Sequence, residues 1–121
     1  RAKISCELNF DEPGLELAEL RSVVLYRIIQ ESLTNISKYA QARAVEVSVA
    51  RIGDLVHVLV RDDGVGFDVP AALRRKTYGL LGMQERALVL EGSLRINSAP
   101  GCGTRIEVTF PYLQAQPGAL L

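Results

Sequence analysis

The residue types and spacings most capable of chemistry fall in three places. In "RIIQESLTNISKYA", residues 27 to 40, Glu31 and Asn35 stand four apart. On a helix that spacing sets them side by side, able to serve one ion or one water. A carboxylate and an amide oxygen are hard donors of the kind that Mg²⁺ accepts, and Mg²⁺ takes one or two protein ligands together with phosphates. That combination points to a nucleotide. Asparagine is also a poor choice for a merely solvated helix interior, because its side chain competes for backbone hydrogen bonds. In "RDDGVGF", residues 61 to 67, Asp62 ends a strand and is followed by Gly64 and Gly66. An aspartate there can accept from an amino group such as the exocyclic amine of adenine, and the glycines would let a flat ring approach the backbone. Gly79 and Gly82 enter a helix, where exposed N–H groups and the helix dipole favour phosphate. Gly101 to Thr104 open the last strand, where the Thr104 hydroxyl could support a base or a bridging water.

These groups need a scaffold. "KISCELNF", from Lys3, alternates with period two and predicts a strand with Ile4, Cys6, Leu8 and Phe10 on one face. "DEPG" turns the chain, and a helical stretch runs from about Leu15 to about Tyr39, as a short helix and then a longer one. At about 100° per residue, Leu25, Ile28, Ile29, Leu33, Ile36 and Ala40 share the arc that must face a sheet, and Arg27, Glu31, Thr34, Asn35 and Lys38 share the opposite, polar arc. "AVEVSVARI" and "LVHVLVRD" read as a hairpin, "GLLGMQERALVLEG" as a helix, and "SLRINSA" with "GTRIEVTFP" as a second hairpin. "VPAALRRKTY" is polar and basic, with no assigned structure, and "YLQAQPGALL" has no periodicity and reads as a frayed tail. The fold class expected is α+β: a two-layer α/β sandwich with a mixed, mainly antiparallel sheet and its helices on one face. Residues 1 to 111 form one domain and 112 to 121 the tail.

The chain has 121 residues, the size of one domain with its own core. Its 14 basic and 14 acidic residues cancel, which gives no global bias toward nucleic acid or a membrane surface. Cys6 and Cys102 form no CxxC and have no histidine cluster nearby, so neither a disulfide framework nor a zinc site is expected. No apolar run reaches the roughly 18 residues of a membrane span, and a cytoplasmic domain is expected. The chain opens on Arg1 and its only methionine is Met83, so it is expected to be a segment of a longer protein.

Together, and in this order, "RIIQESLTNISKYA", "RDDGVGF", "YGLLGMQERA" and "APGCGTRIEVTFP" resemble the N box, the two glycine boxes and the closing glycine-threonine strand of the GHKL ATP-binding domains. Within that superfamily they are most similar to the catalytic domains of sensor histidine kinases of the nitrate/nitrite-sensor and desaturase-regulator type. The resemblance spans about residues 3 to 111. It implies that Asn35 ligates Mg²⁺, Glu31 positions or activates the attacking group, and Lys38 contacts phosphate. It further implies that Asp62 binds the adenine amine with Gly64 and Gly66 beside the ring, that Gly79 and Gly82 flank the phosphate-facing loop, and that Thr104 supports the base. The segment from Gly66 to Gly79 corresponds to the part that closes over ATP, and Arg74, Arg75 and Lys76 give it positive charge. Tyr39 stands where many relatives have histidine, and the phenylalanine-rich box of conventional histidine kinases is absent.

The expected activity is transfer of the γ-phosphoryl of Mg-ATP to a histidine on a separate dimerisation domain, followed by service to a response regulator. The alternatives are a serine kinase of the anti-sigma-factor type and a non-catalytic nucleotide-binding scaffold. His57, the single histidine, alternates with Leu55 and Leu59 on a strand and reads as structural, so the segment by itself is not expected to phosphorylate itself; the resemblance, in which dimerisation belongs to a separate helical domain, implies a monomer.

Overall fold

The computed structural model describes residues 5–10, 17 and 19–112. Five strands form one sheet in the order β1-β2-β3-β5-β4: β1 (Ser5–Phe10), β2 (Ala44–Ile52), β3 (Leu55–Asp62), β4 (Ser93–Ser98) and β5 (Thr104–Pro111). β1 runs parallel to β2 at one edge, and every other pairing is antiparallel. The parallel edge strand has to be reached by a crossover. α1 (Glu19–Asn35) supplies it, its last turn, Ile36–Ala40, wound as a π-helix and ended by Gln41 in the left-handed region. α2 (Val69–Arg75) and α3 (Leu80–Val89) fill the connection between β3 and β4. The "DEPG" turn, residues 15, 16 and 18 of the expected helical stretch and most of the C-terminal tail lie outside the described residues, whereas Leu17, expected in a helix, is not helical and α1 begins at Glu19.

Alternation in the strands decides which face the helices cover. Val45, Val47 and Val49, then Val56, Val58 and Val60, then Ile106, Val108 and Phe110 are buried. They pack with Leu25, Ile28, Leu80, Met83, Ala87 and Leu90 in one cluster, and with Ile36, Ala40 and Ala42 in a second. Burying such side chains contributes about 1.5–3 kcal/mol each before conformational entropy is set against it. The opposite face carries polar residues, among them Arg61 paired with Glu46 and Arg105 paired with Glu107. Arg21, buried near the start of α1, donates to the Leu90 carbonyl at 2.8 Å and pairs with Glu91 at 2.9 Å, which ties α1 to the end of α3.

Two sequence-based expectations change here. Leu33 was placed on the buried arc of α1, but its side chain is exposed. It lies about 80° round the helix from Leu25, at the flank of that arc, whereas Ser32 falls about 20° from Leu25 and is buried in the middle of it. "VPAALRRKTY" contains a helix: Asp68 caps α2, accepting from the Ala71 N–H at 2.9 Å, and Pro70 occupies the first turn, where its missing N–H costs nothing.

Candidate functional site

The cavity lies where α1 and its π-turn cross the ends of β3 and β5, next to the loop that leads into α3. Its volume is about 90 Å³, room for several waters. Ile36, Ala40, Val60 and Ile106 give it an apolar bed, and Phe67, Tyr78 and Tyr39 an aromatic wall. Polar groups enter from two sides: Asp62 and Thr104 from the strand ends, Ser32 and Asn35 from the helix. An apolar slot with a few convergent polar groups is the usual form of a small-molecule site.

Asp62 and Thr104 are direct partners in the β3–β5 register, so their side chains stand on the same face of the sheet. Asp62 is buried, and one carboxylate oxygen accepts from the Gly64 N–H at 2.7 Å. The second oxygen remains available to a donor in the cavity. Burial raises the Asp62 pKa above the usual carboxylate value; the Gly64 N–H works against that shift and the neighbouring charge of Asp63 adds to it. Asp63 has a different task. Its exposed carboxylate accepts from the N–H groups of Arg43 and Ala44 at 2.8 and 3.0 Å, which lowers its pKa and pins the start of β2.

The glycines are explained first by the chain itself. A Cβ on Gly64 would collide with the carbonyl of Ala40, which also accepts from the Val65 N–H at 2.8 Å. Gly64 therefore makes room for the end of α1, and Gly66 rather than Gly64 lines the cavity. Gly66 has φ +67° and lies against the carbonyl of Ala99. Gly79, with φ +65°, lets the Glu31 side chain lie against the entry to α3, since a Cβ there would come within 2.7 Å of the Glu31 carboxyl carbon. Gly82 is less crowded, its nearest neighbour being the flexible end of Arg86.

The polar arc of α1 divides. Glu31, Thr34 and Asn35 are half-buried, while Arg27 and Lys38 are exposed. The Asn35 amide N–H donates to the Tyr78 carbonyl at 2.7 Å, which leaves its oxygen as the acceptor end. Lys38 does not line the cavity; it borders a shallow depression on the outer side of α1 with Tyr26, Leu33 and Thr34. Arg74, Arg75 and Lys76 are exposed at the end of α2. His57 is half-buried on the sheet face away from the helices, beside the Thr109 hydroxyl at 3.4 Å.

Sequence reasoning missed Ser32, Ser98 and the aromatic wall. Tyr78 packs against Phe67 at 4.6 Å and edge-on to Tyr39 at 5.1 Å between ring centroids, and holds φ +62°, a backbone state unusual for a bulky side chain. The one available signal was Ser32 itself, a hydroxyl centred in an apolar arc.

Residues 21–114 match the model of the histidine kinase-, DNA gyrase B- and HSP90-like ATPases. The chain belongs to this family. It is 38% identical over 113 residues to the signal transduction histidine-protein kinase/phosphatase DegS of Bacillus subtilis, covering 92% of this chain and 29% of DegS. It is 44% identical over 92 residues to an uncharacterized sensor-like histidine kinase of Chloroflexus aurantiacus, covering 72% of this chain and 15% of that protein. The chain thus spans less than a third of these relatives. The blue-light activated histidine kinase of Erythrobacter litoralis EL346 shares the fold, with a TM-score of 0.78 at 19% identity over 99% of this chain and 38% of that one. So does the ATP-binding domain of PrrB from Mycobacterium tuberculosis, with a TM-score of 0.74 at 17% identity over 92% of this chain and 82% of that one. With the family come the α+β fold and the assignment of this chain as an ATPase catalytic domain of the histidine kinase type. No helix among the described residues is long and apolar enough to cross a membrane.

Proposed function

We propose that this domain binds Mg-ATP in the Asp62 cavity and presents the γ-phosphoryl to a histidine on a separate dimerisation domain of the same parent protein. The observation that carries the reading is the Asp62 carboxylate, one oxygen fixed by Gly64 and the other open to the cavity, at the end of an apolar slot. Such a group takes an exocyclic amine. Ile36, Val60 and Ile106 suit the faces of a purine, and Phe67, Tyr78 and Tyr39 keep water from its edge.

The phosphates then extend toward Asn35, Glu31 and the start of α3, where main-chain N–H groups and the helix dipole favour negative charge. The donor set fits magnesium: with its N–H given to the Tyr78 carbonyl, Asn35 keeps an amide oxygen, a hard donor that Mg²⁺ accepts when phosphates and waters supply the rest. Bound there, the ion would neutralise charge that builds up on the transferred group. In this reading Glu31, whose side chain lies against Gly79, orients the attacking imidazole and takes its proton. Lys38, exposed on the final turn of α1, is a further phosphate contact in this reading, together with the basic run Arg74, Arg75 and Lys76.

His57 faces the wrong side of the sheet to serve as acceptor, so the acceptor belongs to another domain. The test is transfer of labelled γ-phosphate from ATP to the parent's separately supplied dimerisation domain. A base-stable, acid-labile phosphohistidine on that domain, with none on the isolated catalytic chain, is expected. Label on a serine of a partner protein, or on His57, would contradict the reading.

A further inference from the structure

Ser98 does not line the cavity, but its hydroxyl is bonded to that of Thr104, which does. In the sheet register Thr104 stands opposite Asp62 on β3 and opposite Ser98 on β4, so three side chains form one row across three strands. The Ser98 hydroxyl has three neighbours. The Phe67 N–H donates to it at 2.9 Å, the Gly103 carbonyl lies at 2.8 Å, and Thr104 Oγ1 lies at 2.9 Å.

A hydroxyl has one proton to give and two lone pairs to receive with. The Gly103 carbonyl can only accept, so the Ser98 proton goes there. The Phe67 N–H fills one lone pair. The remaining bond then has one possible direction, with Thr104 donating to Ser98. The Thr104 proton is therefore turned away from the cavity, and its oxygen presents lone pairs alone. Asp62 also presents only an acceptor.

Resting on the reading of this cavity as a purine-nucleotide site, we infer that Ser98 is a specificity-determining residue: by holding the Thr104 proton it makes the cavity floor accept from a 6-amino purine and reject a 6-oxo purine. The exocyclic amine has two N–H groups, one for each of the two acceptors when both are met directly. A 6-oxo base would set its carbonyl lone pairs against those of Asp62 and Thr104, a buried mismatch of the kind that supplies strong discrimination. A Thr104 hydroxyl free to rotate could turn its proton to that oxygen and remove half of the mismatch.

The experiment is calorimetric titration of ADP and of inosine diphosphate, each with Mg²⁺, into the wild type, Ser98→Ala, Ser98→Thr and Thr104→Val. The wild type favours ADP. Ser98→Ala lowers the ADP-to-inosine-diphosphate affinity ratio about tenfold, the effect of one misdirected hydrogen bond, and Ser98→Thr, which keeps the hydroxyl, retains the ratio. Thr104→Val deletes the acceptor without touching Ser98, and the ratio falls by a similar factor even if Ser98→Ala does not fold. A loss of affinity shared equally by both nucleotides in Ser98→Ala or Thr104→Val would mean that the row is only structural and would overturn the inference. A wild type that binds neither nucleotide overturns the purine reading itself, and the role of Ser98 with it. Tight ADP binding with an unaltered ratio removes only the role of Ser98.

Discussion

The floor and the rim of the cavity are built on different principles. On the floor, Asp62, Thr104 and Ser98 are placed by strand register, which sets the Ser98 and Thr104 hydroxyls 2.9 Å apart. At the rim, Lys76, Tyr78 and Gly79 all have positive φ, at 57°, 62° and 65°. The segment is held by the Lys76 and Thr77 N–H groups, which donate to carbonyls at the end of α2, by the Asn35 bond to the Tyr78 carbonyl and by the Tyr78 contacts with Phe67 and Tyr39. Non-glycine residues in the left-handed region cost about 1–3 kcal/mol each and persist where surrounding contacts hold them. The floor is therefore set by the sheet, whereas the rim is backbone in the left-handed region, held by helix-end bonds and a few side chains.

That contrast can be broken at several points. Glu31→Gln keeps the packing against Gly79 but removes the proposed base, so transfer of phosphate should slow by about 100-fold or more, with ADP affinity almost unchanged; single-turnover kinetics would show it, and equal losses in rate and affinity would mean that Glu31 only shapes the rim. Gly64→Ala puts a methyl into the Ala40 carbonyl at the junction of floor and helix. It should destabilise the domain by about 3 kcal/mol, read as a lowered Tm, and a wild-type Tm would show that α1 can give way. Tyr78→Ala should change ADP affinity by less than about tenfold, the scale of aromatic contacts, while amide exchange across residues 76–79 rises. If exchange rose equally at Asp62 and Thr104, floor and rim would be one unit after all.

The same contrast explains what could be read from the sequence. Strand alternation, the two hairpins and the helix at Leu80 follow from period and turn chemistry, and Asp62 and Thr104 are marked by glycines beside them. The helix at Val69 was missed although its signal, Asp68 followed by Pro70, is local. Gly64 is visible as a glycine, but its cause is the Ala40 carbonyl 24 positions earlier in the chain, which no local pattern contains. Tyr78, Phe67 and Tyr39 come from three separate segments and meet only in the folded chain. Ser98 looked like any polar strand end, since its importance lies in the direction of one proton.

The most direct test is calorimetric titration of ADP with Mg²⁺ into the wild type, Asp62→Asn and Asp63→Asn, repeated over a range of pH. Asp62→Asn should weaken binding by about 10- to 100-fold, the effect of losing a hydrogen bond to a charged acceptor, whereas Asp63→Asn should leave affinity unchanged and only lower the Tm. Because burial raises the Asp62 pKa, wild-type affinity should fall as the pH drops through a midpoint above that of an ordinary aspartate, and Asp62→Asn should lose that dependence. Equal binding by wild type and Asp62→Asn at every pH would contradict the claim that this carboxylate reads the nucleotide.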